Sequence, residues 1–259
     1  MAAGVTDATR TSTDTVLHLD RVTKRFGALA AVHEISMTVR RGERWAVIGP
    51  NGAGKTTLFR IIAGEHRPTE GQVELFGRDV TRTAAHRRAR SGLGRTFQIT
   101  NLFSDMTVEQ NATVAAQALG PTPYMFWKPA RLTGDMAEHV ETALAAVELD
   151  DHRRDRLVKE LSHGEQRQLE IAVALAQRPK LLLLDEPAAG LSASERVLMR
   201  TVIEGLPRDL SLVLIEHDMT LALHLADQVL CMDNGETIAE GTPDEIRANE
   251  QVQAVYLRS

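Results

Sequence analysis

The residues of this chain with the clearest chemistry lie between Gly49 and Thr56, where the sequence reads Gly-Pro-Asn-Gly-Ala-Gly-Lys-Thr. This stretch matches the phosphate-binding pattern G-x-x-x-x-G-K-[ST] at every fixed position. Gly49, Gly52 and Gly54 allow a tight turn whose backbone N–H groups can surround an anion. Lys55 places a positive charge on the outer phosphates, and the Thr56 hydroxyl suits a magnesium ion. The pattern predicts a site for a nucleoside triphosphate.

A second candidate is the acidic pair Asp185 and Glu186, which directly follows the leucine run from Leu181 to Leu184. Charged groups at the end of so apolar a strand are hard to solvate unless the strand opens into a site. Asp185 is suited to a magnesium ion, because that ion prefers carboxylate and hydroxyl oxygens. Glu186 can accept the proton of an attacking water molecule. His217 follows a similar run, Leu212 to Ile215, and is compatible with a structural role or with a nucleotide contact.

The elements that must position these residues predict an α/β fold with a parallel central sheet. Trp45 to Ile48 predicts a buried strand before the phosphate loop, and Thr57 to Ala63 predicts a helix after it. The apolar runs at 181–184 and 212–215 predict further strands of the same sheet. Because ligands bind at the carboxyl ends of such strands, we expect the candidate residues to meet at one edge of the sheet.

Strands of a different kind are predicted on either side of this core. Alternation of apolar and polar residues predicts strands at 16–22, 33–39 and 72–76, which together form an N-terminal antiparallel β subdomain. Asn234-Gly235 predicts a hairpin turn near the end of the chain. The core is therefore expected to combine parallel and antiparallel strands.

The middle of the chain has a helical character, with predicted helices at 108–119 and 135–149. Between them, Tyr124 to Trp127 concentrates aromatic residues that either pack within this region or face a partner. Leu102 and Phe103 precede the first helix without a clear period. We expect them either to line a groove for a partner's helix or to fill the core beneath the first helix.

The predicted domain organisation is a tail followed by one large domain. Residues 1–15 are rich in Thr, Ala and Asp without an apolar centre, which predicts a disordered tail and not a signal peptide. Residues 16–259 form the domain, with a nucleotide-binding core at 16–97 and 160–259 and an inserted α-helical subdomain at 98–159. No apolar run approaches the roughly 18 residues needed to span a bilayer.

Charge and cysteine content exclude several other classes. A formal net charge of −5 and a pI near 6.0 argue against a nucleic-acid-binding surface. The basic run from His86 to Arg90 is accordingly predicted to be a solvated helix face. Cys231 is the only cysteine, which excludes a disulfide framework and a cysteine metal site and fits a reducing compartment.

One further helix start is a candidate phosphate site. Ser162-His163-Gly164-Glu165 has the form of a capping box and predicts a helix that continues to Ala176. The free N–H groups and the dipole of such an end also favour a phosphate, by about 0.3–1 kcal/mol and by up to roughly 2 kcal/mol when partly buried. Capping and phosphate binding are therefore both compatible with Ser162 and Gly164.

In order and spacing these motifs resemble the ATP-hydrolysing subunit of an ATP-binding cassette (ABC) transporter, over nearly the whole chain from Val16 onward. Phe26 falls where the family stacks an aromatic residue on adenine, and Gln98 falls at its glutamine loop. Leu161 to Gln166 matches the signature loop, and His217 matches the switch histidine. The resemblance implies a nucleotide bound by Phe26, Gly49, Pro50, Asn51, Gly52, Ala53, Gly54, Lys55, Thr56, Thr57, Ser162, Gly164 and Glu165.

The resemblance also implies ATP and Mg²⁺ as cofactors. The implied metal residues are Thr56, Gln98 and Asp185, and the implied catalytic residues are Glu186, His217 and Gln98. In the family, two subunits, identical or paralogous, enclose ATP between the phosphate loop of one and the signature loop of the other. They drive separate membrane permease subunits, indirectly serve a substrate-binding protein, and lie in the cytoplasm at the inner face of the membrane. No nucleic acid is implied as a partner.

A finer resemblance, to the ATPases of branched-chain amino-acid uptake, rests on Ala188 to Leu191, the segment after Gln98 and Val255 to Leu257. ATPases of urea uptake and of lipopolysaccharide export are related alternatives. A soluble cassette ATPase usually has two cassettes or a long coiled-coil insertion, and a P-loop kinase would leave the signature loop without a role.

The chain departs from the family pattern at three positions. His163 replaces a common glycine and Glu165 replaces the usual glutamine of the signature loop, whereas Gly164 is retained. Ser192 stands where the family often has Asp, which puts an Asp-mediated contact across the dimer in doubt. Ser192 to Glu195 is nevertheless a capping box, so a helix is still expected to begin there.

Overall fold

The structure is a computed structural model that describes residues 14–96, 102–118, 134–149 and 151–256. The predictions for most of the tail, for Gln98 and for the aromatic residues at 124–127 lie outside these ranges. Within them, every helix is too short or too polar to cross a membrane.

The core is a six-stranded sheet in the order β10-β9-β3-β8-β7-β6, parallel except for the pairing of β9 with β10. Its parallel part and the hairpin at Asn234-Gly235 were both predicted. The strands are β3 (Arg44–Ile48), β6 (Leu93–Arg95), β7 (Leu181–Asp185), β8 (Ser211–Ile215), β9 (Gln228–Asp233) and β10 (Glu236–Gly241).

The apolar strands of this sheet are buried on both faces. Leu182 and Leu184 belong to the apolar cluster on one face, whereas Leu181 and Leu183 belong to the cluster on the other. Successive side chains of a strand point to opposite faces, so a strand between two covered faces must be apolar at every position. This is why the leucine run ends where the chain reaches the polar edge of the sheet.

A second sheet has four antiparallel strands in the order β2-β1-β4-β5. It confirms the predicted N-terminal β subdomain, although β1 and β2 are longer than predicted and their register shifts at several points. The strands are β1 (Thr15–Phe26), β2 (Leu29–Arg40), β4 (Glu70–Leu75) and β5 (Arg78–Asp79).

The helices are α1 (Lys55–Ala63), α2 (Ala85–Ser91), α3 (Val108–Ala118), α4 (Gly134–Ala145), α5 (Asp151–Arg154), α6 (His163–Leu175), α7 (Ala193–Gly205), α8 (Met219–Leu225), α9 (Pro243–Ala248) and α10 (Glu250–Tyr256). A 3-10 turn occupies Val158–Glu160. Helices α3 and α4 pack against each other and against α6, the helix that follows the signature loop. The prediction that one helix continues to Leu149 was wrong: α4 ends at Ala145, and Glu148 adopts a left-handed φ of 58° that turns the chain.

The basic run at 86–90 was predicted to be a solvated face, and this is wrong for Arg88. Its neighbours His86, Arg87 and Arg90 are exposed, but Arg88 is wholly buried. Its guanidinium donates hydrogen bonds to the carbonyls of Ile61 and Ile62, at 2.7 Å each. These carbonyls belong to the last turn of α1, where a helix leaves acceptors without partners. Burial lowers the pKa of Arg88 to about 10, and the side chain links α1 to α2.

Leu102 and Phe103 differ in burial, so the core-filling role applies to Leu102 alone. Leu102 packs against the core, as a core-filling residue would. Phe103 is 56% exposed, so it does not fill the core. The backbone of Phe103 is held by the buried side chain of Asn111, which accepts from its N–H at 2.8 Å and donates to its carbonyl at 3.1 Å. An apolar ring is thus presented outward from a fixed backbone.

Candidate functional site

The phosphate loop joins β3 to α1 and depends on its glycines for its shape. Gly49, Gly52 and Gly54 have φ values of 145°, 84° and 98°, which L side chains rarely adopt. A Cβ atom at Gly49 would overlap the carbonyl oxygen of Met232, and one at Gly54 would overlap that of Ala31. The first glycine is therefore required by the neighbouring strand β9 and the last by β2, in addition to the turn itself.

Lys55 is buried and hydrogen-bonded to the backbone of its own loop. Its ammonium donates to the carbonyl oxygens of Gly49, at 2.7 Å, and Pro50, at 2.9 Å. Burial lowers the pKa of Lys55, and the nearby carboxylate of Glu186 opposes that shift. The cavity beside it is lined by Ala31, Asn51, Gly52, Ala53, Gly54, Lys55, Thr56, Thr57, Glu186 and His217. The structure thus brings the loop, Glu186 and His217 together, as the strand order predicts.

Asp185 ends β7 as a buried carboxylate with one oxygen engaged. Its Oδ2 lies 3.3 Å from Nη2 of Arg95, which also contacts Glu65. Its Oδ1 is buried and has no hydrogen-bond partner among the residues that the structure describes. Burial raises the pKa of Asp185, although Arg95 acts in the opposite direction. An unpartnered buried carboxylate oxygen beside a phosphate loop fits the coordination of a hard cation such as Mg²⁺.

Glu186 and His217 form a hydrogen-bonded pair across two adjacent strands. Their Oε1 and Nε2 atoms are 2.5 Å apart, and the Glu186 N–H donates to the carbonyl of Ile215 at 3.0 Å. Glu186 has a left-handed φ of 51°, which is uncommon outside glycine and occurs often at functional sites. A carboxylate beside a phosphate loop and held by a histidine is arranged to accept a proton from a water molecule.

Glu216 is a buried acid for which the sequence suggested no role. Its Oε1 accepts from the N–H of Ala188 at 3.1 Å, and its Oε2 accepts from the N–H of His217 at 3.3 Å. One carboxyl group therefore links the segment after Glu186 to the histidine that contacts Glu186. Burial raises the pKa of Glu216 to about 7. The sequence pattern that identified Asp185, an acid directly after a wholly apolar strand, also applies to Glu216.

This pKa predicts a pH dependence of stability that Glu216→Gln removes. The folded chain keeps the proton up to about pH 7, whereas an unfolded chain releases it near the ordinary value of 4.5. Since the folded state binds more protons between these values, the free energy of unfolding falls as pH rises through this window, by on the order of 3 kcal/mol. Urea unfolding of both proteins at pH 5 and pH 8 measures this difference. An identical pH dependence in the two proteins would refute it.

The signature loop begins α6 with a complete capping box, as predicted. The N–H of Glu165 donates to Oγ of Ser162 at 3.2 Å, and the N–H of Ser162 donates to Oε2 of Glu165 at 2.8 Å. The N–H of Gly164 donates to Oε1 of Glu195 at 3.1 Å, which joins α6 to the start of α7. Glu195 also completes the capping box with Ser192. None of these side chains lines the phosphate-loop cavity.

Phe26 also lies outside the lining of that cavity. It ends β1 with 47% of its surface exposed, and its ring packs edge-on against His66, with centroids 5.6 Å apart. Lys24 Nζ lies 5.1 Å from the ring centroid. An exposed aromatic ring with one cation beside it is available for stacking, but the described residues do not enclose it.

Comparisons with known proteins agree over nearly the whole chain. A family profile described as ABC transporter matches residues 32–189, and one described as branched-chain amino acid ATP-binding cassette transporter matches residues 236–257. The chain is 37% identical over 249 residues to BraF of Pseudomonas aeruginosa, a high-affinity branched-chain amino acid transport ATP-binding protein. It is 35% identical over 249 residues to LivG of Escherichia coli, which has the same description. Both alignments cover 93% of this chain and 97% of the relative.

A relative of a different description is as similar in identity. CysA 2 of Shewanella oneidensis, a sulfate/thiosulfate import ATP-binding protein, is 37% identical over 242 residues, which are 93% of this chain and 66% of that protein. Among solved structures, the ADP conformation of an ATP-binding cassette of an ABC transporter superimposes with a TM-score of 0.83 at 30% identity, covering 95% of this chain and 99% of that one. A nucleotide-free cassette gives 0.82 at 29% identity, covering 93% and 98%.

Proposed function

This chain belongs to the ABC transporter family as an ATP-binding, ATP-hydrolysing subunit, and from that premise we propose that it dimerises around Mg·ATP to drive a separate permease for branched-chain amino acids. One observation carries the proposal. Lys55, Glu186 and His217 line one cavity, whereas the capped helix start at Ser162 and Gly164 lies outside its lining. Within the described residues, each chain therefore has a candidate nucleotide cavity and a separate helix start, which we assign to the phosphates of the partner's nucleotide.

In the proposed reaction the chain positions ATP and receives one proton. The phosphate loop binds the phosphates through its N–H groups, and Lys55 moves from its loop carbonyls to the outer phosphates. Glu186 accepts the proton of the attacking water molecule, and His217 holds the Glu186 carboxylate in place from the next strand. Phe26 stacks on the adenine ring.

Three residues of this chain would hold the metal. A magnesium ion bound by Thr56, Asp185 and Gln98 would neutralise charge on the transferred phosphoryl group. The unpartnered Oδ1 of Asp185 supports this assignment. Arg95 engages the other carboxylate oxygen, Oδ2, at 3.3 Å, which leaves Oδ1 for the metal.

The second half of the site comes from another copy of this chain or from a paralogue. The start of α6 carries the positive end of a helix dipole, which stabilises an anion. Glu165 is committed to the capping box and to Arg153, at 2.6 Å, whereas the Ser162 hydroxyl can still donate to a phosphate. The Gly164 N–H can do so once it leaves Oε1 of Glu195, to which it donates at 3.1 Å. Closing and opening of the dimer would then move the permease at the inner face of the membrane.

The substrate class rests on the C-terminal segment. Overall sequence identity does not distinguish between substrate classes, because relatives described for branched-chain amino acids and for sulfate are both 37% identical to this chain. Residues 236–257, however, match the profile of the branched-chain amino acid cassettes. Urea uptake and lipopolysaccharide export remain the competing assignments.

Reconstitution tests this assignment. The chain is purified with the permease subunits that bind it, and the complex is placed in proteoliposomes with ATP. We expect ATP-dependent movement of labelled leucine, isoleucine and valine, and stimulation of ATPase activity when a substrate-binding protein is added. Transport of urea, sulfate or a lipid instead of these amino acids would overturn the substrate class. Equal stimulation of ATPase activity by the substrate-binding protein in the absence of any permease would overturn the coupling.

Phe103 is the residue we expect to contact the permease. Because its ring is exposed on a backbone fixed by Asn111, Phe103→Ala should change the unfolding free energy by less than about 1 kcal/mol. The same substitution should abolish permease co-purification while basal ATPase activity stays at the wild-type level. Leu102→Ala is the matched control, since this partly buried side chain should cost about 2 kcal/mol of stability. Retained permease binding by Phe103→Ala would exclude the contact.

A further inference from the structure

The first glycine of the phosphate loop is contacted by a residue from the far end of the chain. The N–H of Gly49 donates a hydrogen bond to the hydroxyl of Tyr256 at 2.9 Å. The carbonyl of Gly49 accepts from Nζ of Lys55 at 2.7 Å, and its Cα faces the carbonyl of Met232 too closely to allow a Cβ. Gly49 is therefore held on three sides, by α10, by the loop lysine and by β9.

One of these three contacts cannot persist when nucleotide binds in the proposed manner. Lys55 must release the carbonyls of Gly49 and Pro50 before its ammonium can reach a phosphate. The N–H of Ala53 still donates to the carbonyl of Pro50 at 3.2 Å. Among the residues that the structure describes, Gly49 itself keeps the two other contacts. Of these, the approach of Met232 only excludes space, whereas the Tyr256 hydroxyl makes a hydrogen bond with the loop.

Tyr256 is also positioned by contacts outside the phosphate loop. The side chain of Asn249 caps α10 by accepting from the N–H groups of Gln251 and Val252, at 2.9 and 3.1 Å. Val252 is buried on the same helix, and the Tyr256 ring packs against the core. Burial raises the pKa of Tyr256 to about 12, so the hydroxyl is neutral at physiological pH. Contacts outside the phosphate loop therefore help to position the hydroxyl.

We infer that Tyr256 is a positioning residue for the nucleotide site: its hydroxyl holds the amino end of the phosphate loop in place while Lys55 transfers from the loop to the phosphates. This inference rests on the proposed role of Lys55. Without the hydroxyl the loop has additional conformations that do not bind nucleotide, and the apparent Kd rises as the binding-competent fraction falls. The C-terminal segment is thereby linked to nucleotide affinity.

The test compares three variants of the full chain by calorimetric titration with ADP and with ATP. Tyr256→Phe keeps the ring and removes one hydroxyl, and we expect it to weaken both affinities about three- to ten-fold, the range of one net hydrogen bond. Hydrogen exchange of the segment containing the Gly49 amide should also quicken in the nucleotide-saturated protein.

Val252→Ala disturbs the packing of α10 without touching the hydroxyl, so it should lower thermal stability and leave both Kd values unchanged. Lys55→Ala should lose nucleotide binding.

If Tyr256→Phe binds ADP and ATP with wild-type affinity while Lys55→Ala does not bind them, this inference is wrong and the proposed function still stands. Equal weakening by Val252→Ala and Tyr256→Phe would also overturn it, because general packing of α10 would then explain the effect. Undiminished binding by Lys55→Ala would contradict the proposed nucleotide site itself.

Discussion

Replacement of Glu186 by glutamine is expected to lower the ATPase rate by about 10²- to 10⁴-fold while ATP affinity stays near that of the wild type. The amide keeps the shape of the side chain but cannot accept the proton of the attacking water. Binding persists because the loop, Lys55 and Thr56 are unaffected on the other wall of the cavity. Release of inorganic phosphate from purified protein, together with a nucleotide titration, measures both quantities.

The control for this variant is Glu204→Gln, the same chemical change on α7 and outside the cavity lining. It should hydrolyse ATP at the wild-type rate. A Lys55→Ala preparation, purified in parallel, sets the level of contaminating ATPases. Wild-type turnover by Glu186→Gln above that level would remove Glu186 from the role of general base.

Two inactive variants are expected to restore activity when they are mixed. Lys55→Ala removes the lysine that binds the outer phosphates in its own chain. Ser162→Arg blocks the helix start that a chain presents to its partner's nucleotide. In a mixed dimer both changes fall in one site, and the other site has an intact loop and an intact helix end. Each mixed dimer has one intact site of two. If the two sites act independently, an equal mixture should recover about a quarter of wild-type activity when the chains pair at random, and about a half when only mixed dimers form.

Each variant alone should remain at the background rate at the same total concentration. A mixture that stays at background although the two variants form mixed dimers would show that Lys55 and Ser162 do not act in different chains. Substantial ATPase activity in Ser162→Arg alone would show that the helix end has no part in hydrolysis.

Several features of this fold follow from local sequence rules. The phosphate loop was predictable because its glycines supply the positive φ values that the turn needs, within one short motif. The position of β7 was predictable because a leucine run buried on both faces has no other stable environment. The capping boxes that begin at Ser162 and Ser192 were predictable because each is closed within four residues.

Other features depend on contacts between distant parts of the chain, and the sequence does not reveal them. Arg88 looks like one more solvated basic residue until the carbonyls at the end of α1 are placed beside it. The end of α4 at Ala145 depends on the left-handed turn at Glu148, a residue that ordinarily favours helix. The contact between Tyr256 and Gly49 spans 207 residues, so no local pattern can indicate it.

The central claim, that two chains enclose ATP between a phosphate loop and a signature helix, is tested most directly by the mass of Glu186→Gln in solution. Sedimentation equilibrium is measured without nucleotide, with ADP and with ATP, each at saturation. The account predicts the 28.5 kDa monomer without nucleotide and with ADP, and twice that mass with ATP. Introducing Ser162→Arg into the same chain should keep it monomeric with ATP. A protein that binds ATP fully and remains a monomer at every accessible concentration would contradict the account.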